Sequence, residues 1–180
     1  MPASHLLRLH HIQNHSLANG PGERIVLWTQ GCTLACPGCF NPQTHHVDGG
    51  SLWSVYDLAK LLLSAPGHPE GLTISGGEPL QQSIPLLQLL KIIHKASTLS
   101  IILFTGLTWP EVHKIPRAME VLANCDVLLA GRYLSTHHLA SGLLGSSNKT
   151  VHFLTNRYTQ ADLDDIPPAE VWLSPGGNLT

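Results

Sequence analysis

The chain has 180 residues, a formal net charge of −2, 43% hydrophobic residues and 12% charged ones. That content supports one packed domain and excludes a disordered tail, and the lack of a basic stripe argues against a nucleic-acid partner. With no apolar run of signal-peptide length and none near the roughly 20 residues that span a bilayer, the sequence reads as cytoplasmic, with no membrane contact.

In chain order, strand and helix patterns alternate. Residues 23–30 (ERIVLWTQ) are rich in β-branched and aromatic side chains and stop at Gly31, which predicts a strand. Residues 31–50 form a long loop that carries three of the four cysteines, and loops of that length inside a domain are usually functional. Ser54 and Asp57 open a helix through Ala65, with Leu58, Leu61 and Leu62 at helical spacing, ended by Pro66 and Gly67. Residues 71–75 (GLTIS) are a second strand, followed by Gly76, Gly77, Glu78 and Pro79. Residues 85–96 read as an amphipathic helix with Leu86, Leu89, Leu90 and Ile93 on one face. Residues 99–105 (LSIILFT) form a third strand, stopped by Gly106. Thr108 and Glu111 have capping-box spacing, and Pro116 interrupts that helix before residues 117–124. Residues 126–130 (DVLLA), 150–155 (TVHFLT) and, more weakly, 170–173 (EVWL) complete the strands.

Repeated strand–helix units predict parallel strands joined by crossover helices. The chain is short of the ~250 residues typical of a full eight-unit barrel. The expected fold is therefore a single-domain α/β protein, a partial (open) parallel β/α barrel with a core at about residues 19–155 and a C-terminal extension at 156–180.

The chemistry concentrates in Cys32, Cys36 and Cys39, a C-x3-C-x2-C run. Thiolates are soft ligands suited to iron–sulfur clusters and zinc. Three ligands leave one iron of a four-iron cluster open for a substrate, whereas a closed zinc site would recruit His45 or His46 as a fourth. Gly76 and Gly77 expose backbone groups at a strand's C-terminal end, where α/β folds bind ligands, and Glu78 adds a carboxylate. Cys125 reads as a small core residue, Asp126 as structural, the 12 histidines as solvated, and Arg24 as a solvated strand charge or a cation facing a partner.

Together the two motifs resemble the radical S-adenosylmethionine superfamily, which pairs such a cysteine run after its first strand with a GGEP-type turn after its second. Residues 19–24 (NGPGER), 30–32 (QGC), 36–42 (CPGCFNP), 103–106 (LFTG), 125–133 (CDVLLAGRY) and 145–148 (GSSN) resemble activating enzymes of anaerobic ribonucleotide reductases, so the likeness spans about residues 14–149. The resemblance implies that Cys32, Cys36 and Cys39 ligate three irons of a [4Fe–4S] cluster. S-adenosylmethionine would chelate the fourth iron, and one electron would cleave it to methionine and a 5′-deoxyadenosyl radical. It places Gly76, Gly77 and Glu78 at the methionyl ammonium, Gly38 and Phe40 by the adenine, and Thr105 and Gly106 as further contacts, with no catalytic residue beyond the cluster ligands. The implied partners are a large glycyl-radical enzyme, an anaerobic ribonucleotide reductase, and a flavodoxin-like or ferredoxin-like electron donor. Peptide modification, small-molecule rearrangement and a non-catalytic cysteine-ligated metal module are the alternatives. The chain departs from the family pattern at Ala130-Gly131, where an acidic residue is common, and at Lys149-Thr150, where Gln-Arg is usual.

Overall fold

The computed structural model describes residues 5–140 and 142–171. Seven strands form one sheet: β1 (Leu6–Ser16), β2 (Arg24–Thr29), β3 (Ser51–Ser54), β4 (Gly71–Gly76), β5 (Ser100–Thr105), β6 (Val127–Ala130) and β7 (Thr150–Phe153). Their order across the sheet is β3-β1-β2-β4-β5-β6-β7. The helices are α1 (Val55–Leu63), α2 (Ser83–Ala96), α3 (Trp109–Val112), α4 (Ala118–Leu122) and α5 (Gln160–Asp164).

The parallel part consists of β2, β4, β5 and β6, whereas β1, β3 and β7 pair antiparallel. The expected α/β class and open sheet hold, while the expected parallel pairing extends only over β2, β4, β5 and β6, so the sheet is mixed. A parallel return needs a crossover connection. Between β6 and β7 the chain makes only a loop with one short 3-10 turn, Ser135–His137, so it comes back antiparallel. Strands β1 and β3 escape the sequence patterns because mostly polar residues follow Leu9 in β1, and β3 is only four residues long, directly after the cysteine loop.

Period-2 alternation gives the sheet two distinct faces. One carries Leu7, Leu9, Ile25, Leu27, Leu72, Ile74, Leu103 and Leu128 and packs against α1, α2 and α4 in the main core, where Cys125 also lies. The other carries Ile102, Val127 and Leu129, against which Tyr158 and Leu163 of the C-terminal segment pack. That segment continues to Glu170, whose carboxylate accepts from Ser16 Oγ and Leu17 N. Residues 170 and 171 are not in a strand; the remainder of the weak strand expected at 170–173 lies outside the described residues.

Two local expectations change. Ser54 sits at the N-cap of α1 but makes no side-chain cap bond, and its hydroxyl is buried without a partner. Arg24 is not solvated at all: it is wholly buried on the second face. Its guanidinium donates to Thr73 Oγ1 at 3.1 Å, Ser100 Oγ at 2.5 Å, Leu72 O at 2.5 Å and Tyr158 Oη at 3.3 Å. Tyr158 in turn donates to Glu70 at 2.8 Å. Burial pulls the Arg24 pKa down, opposed mainly by Tyr158. Fully bonded, the group satisfies the rule that buried charge must be paired or hydrogen-bonded. Asp126 is structural, as expected: its carboxylate accepts from Ile101 N and Thr155 Oγ1. Among the described residues no helix is long and apolar enough to cross a membrane.

Candidate active site

Parallel strands align their C-terminal ends, and here the ends of β2, β4 and β5 carry three loops that interlock. The cysteine loop leaves β2 at Thr29 and is fixed at once. Gly77 N donates to Thr29 O at 2.8 Å and Glu78 N to Gly31 O at 2.9 Å, which seats the GGEP turn against its root. On the returning side Gly31 N donates to Thr44 O at 2.8 Å and Cys32 N to His45 O at 3.1 Å. Buried Gln30 closes the same loop, its amide donating to Gln43 O at 3.2 Å and His46 O at 2.8 Å. Within the loop Ala35 and Gly38 take left-handed conformations, with φ of 49° and 71°, and Cys39 N donates to Cys36 O at 3.2 Å. This tight turn brings the thiols of Cys36 and Cys39 to the same side as Cys32.

All three thiols are free and half-buried, and they line one pocket with Phe40, Gly76, Gly77, Thr105, Gly106, Tyr133 and Lys149. Burial pushes the Cys32 thiol up. Gly38 and Glu78, also expected here, are not among the lining residues. Gly38 lies behind the pocket beside Tyr133 and Ser135. Phe40 packs on Tyr133 with the rings tilted 47° and their centroids 4.3 Å apart, and it lies against Gly145.

The glycines of the turn are required by close approach of backbone. A Cβ on Gly77 would lie 2.4 Å from Gly31 O, and one on Gly76 would lie 2.5 Å from Thr29 N and O. Gly76 also has a φ of 99°, which L side chains avoid. At Gly106 a Cβ would meet Leu34 Cδ1 of the cysteine loop at 2.4 Å. Gly77 and Gly106 therefore make room for the cysteine loop, and Gly76 for the end of β2 from which it leaves.

Glu78 has no solvent exposure, and its carboxylate accepts from Leu80 N at 3.0 Å, Thr105 Oγ1 at 2.7 Å and Gly106 N at 2.8 Å. Burial pushes its pKa up against the pull of these donors. The carboxylate ties the end of β4 to the end of β5. Outside the pocket, Arg132 makes a bidentate pair with Glu111 at 2.6 and 3.0 Å and reaches Gly106 O at 3.4 Å. With Thr108 adding its own hydrogen bonds, Arg132 holds the Glu111 carboxyl down at about 2.

The sequence reading did not single out Gln30, Leu34, Tyr133 or Lys149 for the site. Tyr133 and Lys149 come from the two ends of the loop between β6 and β7, and only the sheet order brings that edge to the pocket. Gln30 and Leu34 flank cysteines, so adjacency in sequence was the available signal.

The donor set fits a thiolate-ligated cluster with an open position: three free cysteines around a pocket whose far wall is bare glycine backbone. His45 also lines the pocket, yet among the described residues no three His, Cys, Asp or Glu side chains converge as a single-ion site. Residues 18–152 match the 4Fe-4S single cluster domain family. The chain belongs to that family. An anaerobic ribonucleoside-triphosphate reductase-activating protein from Salmonella typhi is 31% identical over 157 residues, 82% of this chain and 99% of the relative. The protein of the same name from Escherichia coli K12 is 30% identical, over 77% of this chain and 93% of its own. A pyruvate formate-lyase-activating enzyme from Clostridium pasteurianum is 39% identical over 89 residues, 47% of this chain and 37% of that enzyme. Among solved structures, QueE from Escherichia coli overlays 57% of this chain and 53% of its own length, at 17% identity and a TM-score of 0.44. Membership makes the chain a radical S-adenosylmethionine enzyme of the activating type, with a [4Fe–4S] cluster and S-adenosylmethionine as cofactors.

Proposed function

We propose that the chain generates a glycyl radical on an anaerobic ribonucleotide reductase, using a cluster held by Cys32, Cys36 and Cys39. The observation that carries this reading is the convergence of three free thiols and the backbone edges of Gly76, Gly77 and Gly106 on one pocket. When bound, the cluster supplies one electron for reductive cleavage of S-adenosylmethionine to methionine and a 5′-deoxyadenosyl radical. In this site Gly76 and Gly77 offer backbone groups to the methionyl ammonium, and Phe40, braced by Tyr133, provides a flat wall for the adenine. Glu78 serves indirectly, by fixing Thr105 and Gly106 at the pocket edge. Gly38 gives the turn between Cys36 and Cys39 its left-handed bend.

From the pocket a cleft continues along the second face of the sheet, past Trp28, Ser75, Phe104 and Leu139. It shares Phe40, Asn41, Ser75, Phe104 and Lys149 with the pocket. A partner's extended segment carrying a glycine fits such a lateral opening, and an external flavodoxin-like or ferredoxin-like protein is the proposed electron source. The target is suggested by the names of the relatives, which match over nearly their whole length.

The test is anaerobic reconstitution with iron and sulfide, reduction, and addition of S-adenosylmethionine. The loaded chain is expected to release 5′-deoxyadenosine and methionine, and to raise a glycyl-radical doublet in an anaerobic ribonucleotide reductase. No cleavage by a fully loaded chain sinks the radical reading. Cleavage without the doublet sinks the choice of target. Alanine at Cys32, Cys36 or Cys39 is expected to abolish cleavage, whereas Cys125→Ala leaves it and lowers stability by about 1 kcal/mol, since the thiol is a core group.

A further inference from the structure

The pocket contains a cation, Lys149, that no described residue neutralises. Lys149, immediately before β7, lines it together with the three cysteines. Its backbone is held by a bond from Lys149 N to Ser146 O at 3.3 Å, and its stem packs on Gly131, where a Cβ would lie 3.4 Å from Lys149 Cα and Cγ. Gly131 has a φ of 124°, so a side chain there would be both strained and crowded against that stem.

Among the described residues the Lys149 ammonium makes no hydrogen bond and no ion pair. Burial pulls the Lys149 pKa down, and Cys36, Cys39 and Glu78 act in the opposite direction. Glu78 is already saturated by three donors. The neighbouring cation Arg132 also feels Cys36, but its guanidinium is committed to Glu111 at 2.6 and 3.0 Å. Lys149 is thus the uncommitted positive charge beside the thiols.

An ammonium in a partly buried pocket is unfavourable without a counter-charge. A cluster on three thiolates supplies one, and its negative charge grows by one when an electron is added. A fixed cation at that site therefore favours the reduced state, the more so because the pocket walls screen poorly. We propose that Lys149 is a positioning residue acting through the cluster, its ammonium raising the reduction potential of the cysteine-ligated centre. The step is the uptake of one electron from an external low-potential donor, with no bond made or broken and Lys149 protonated before and after. The inference rests on the reading that Cys32, Cys36 and Cys39 hold the cluster.

The test is a redox titration of the reconstituted full-length chain without S-adenosylmethionine, with dithionite as reductant and the spin-resonance signal of the reduced cluster as readout. In Lys149→Met the reduced-to-oxidised ratio at a fixed potential is expected to fall about tenfold, which is 59 mV for one electron. Lys149→Arg keeps the charge and is expected to stay within about threefold of the parent. So is Lys91→Met, which removes an equal charge from an exposed pair with Glu120. If Lys149→Met loads poorly, Lys149→Gln replaces it with the same expectation. A parent-like midpoint in the loaded variant overturns the inference, and so does weakened S-adenosylmethionine binding with an unmoved midpoint. Failure of the parent chain itself to hold four irons overturns the ligand reading beneath it.

Discussion

Glu78 and Glu111 both stand near the ends of central strands, and their surroundings drive them in opposite directions. Arg132, helped by Thr108, holds the Glu111 carboxyl at about 2, well below the ordinary carboxylate value of 4.5. A folded-state pKa below the unfolded one means that the stabilisation is present above about 4.5 and is lost as pH falls towards about 2. Carboxyl-carbon NMR is expected to place the Glu111 midpoint near 2, and Arg132→Ala to return it towards 4.5. Glu78 carries the opposite sign: burial raises its pKa, so its ionised form opposes folding above the ordinary carboxylate range and the opposition eases as pH falls. Its three hydrogen bonds offset part of that cost. Glu78→Gln turns an amide N–H toward either Gly106 N–H or the Leu80 N–H and Thr105 hydroxyl side, leaving a buried donor unmatched. The expected loss is about 1–3 kcal/mol in urea unfolding.

At the scale of elements, the cysteine loop and the GGEP turn are one unit built from two segments. Gly77→Ala would place a Cβ 2.4 Å from the carbonyl oxygen of Gly31 and displace the root of the cysteine loop. The variant is expected to keep its far-ultraviolet dichroism and to bind less iron per chain after reconstitution. The cysteines and the glycine run were legible in the sequence because their chemistry is local. Why Gly77 must be glycine was not, since the reason is the backbone of Gly31, brought close by the pairing of β2 with β4. Strands β2, β4, β5 and β6 were legible from apolar runs, and α2 from its 3.6-residue period. Strand β1 was not, because a strand that carries polar and exposed residues along much of its length has no continuous apolar signature. Arg24 was misread for a related reason: hydrophobic alternation identifies a strand but does not reveal that hydroxyls from β4, β5 and the C-terminal segment await a guanidinium.

Across the whole molecule, helices cover one face of the sheet, while on the other the C-terminal segment packs over Ile102, Val127 and Leu129. Truncation after Thr155 removes Tyr158 and Leu163 and takes one hydroxyl from the Arg24 network. Burial of the two side chains alone is worth about 1.5–3 kcal/mol each, so a loss of about 3–6 kcal/mol is expected in chemical unfolding. Binding of a hydrophobic dye to the uncovered face would accompany it.

The Arg24 cluster has a consequence of its own. It joins the beginnings of β2, β4 and β5, whereas the thiols and glycines gather where those strands finish. The fastening of the sheet is thus a full strand length away from the end that carries the thiols. Loss of a cluster from those thiols is therefore expected to leave the fastening untouched and the frame folded. Hydrogen exchange is expected to show that stripping the cluster loosens residues 31–49 while amides around Arg24, Leu72 and Ile101 stay protected. On this layout the frame is expected to outlast any one cluster, and a second reconstitution of the stripped chain should restore the iron content of the first.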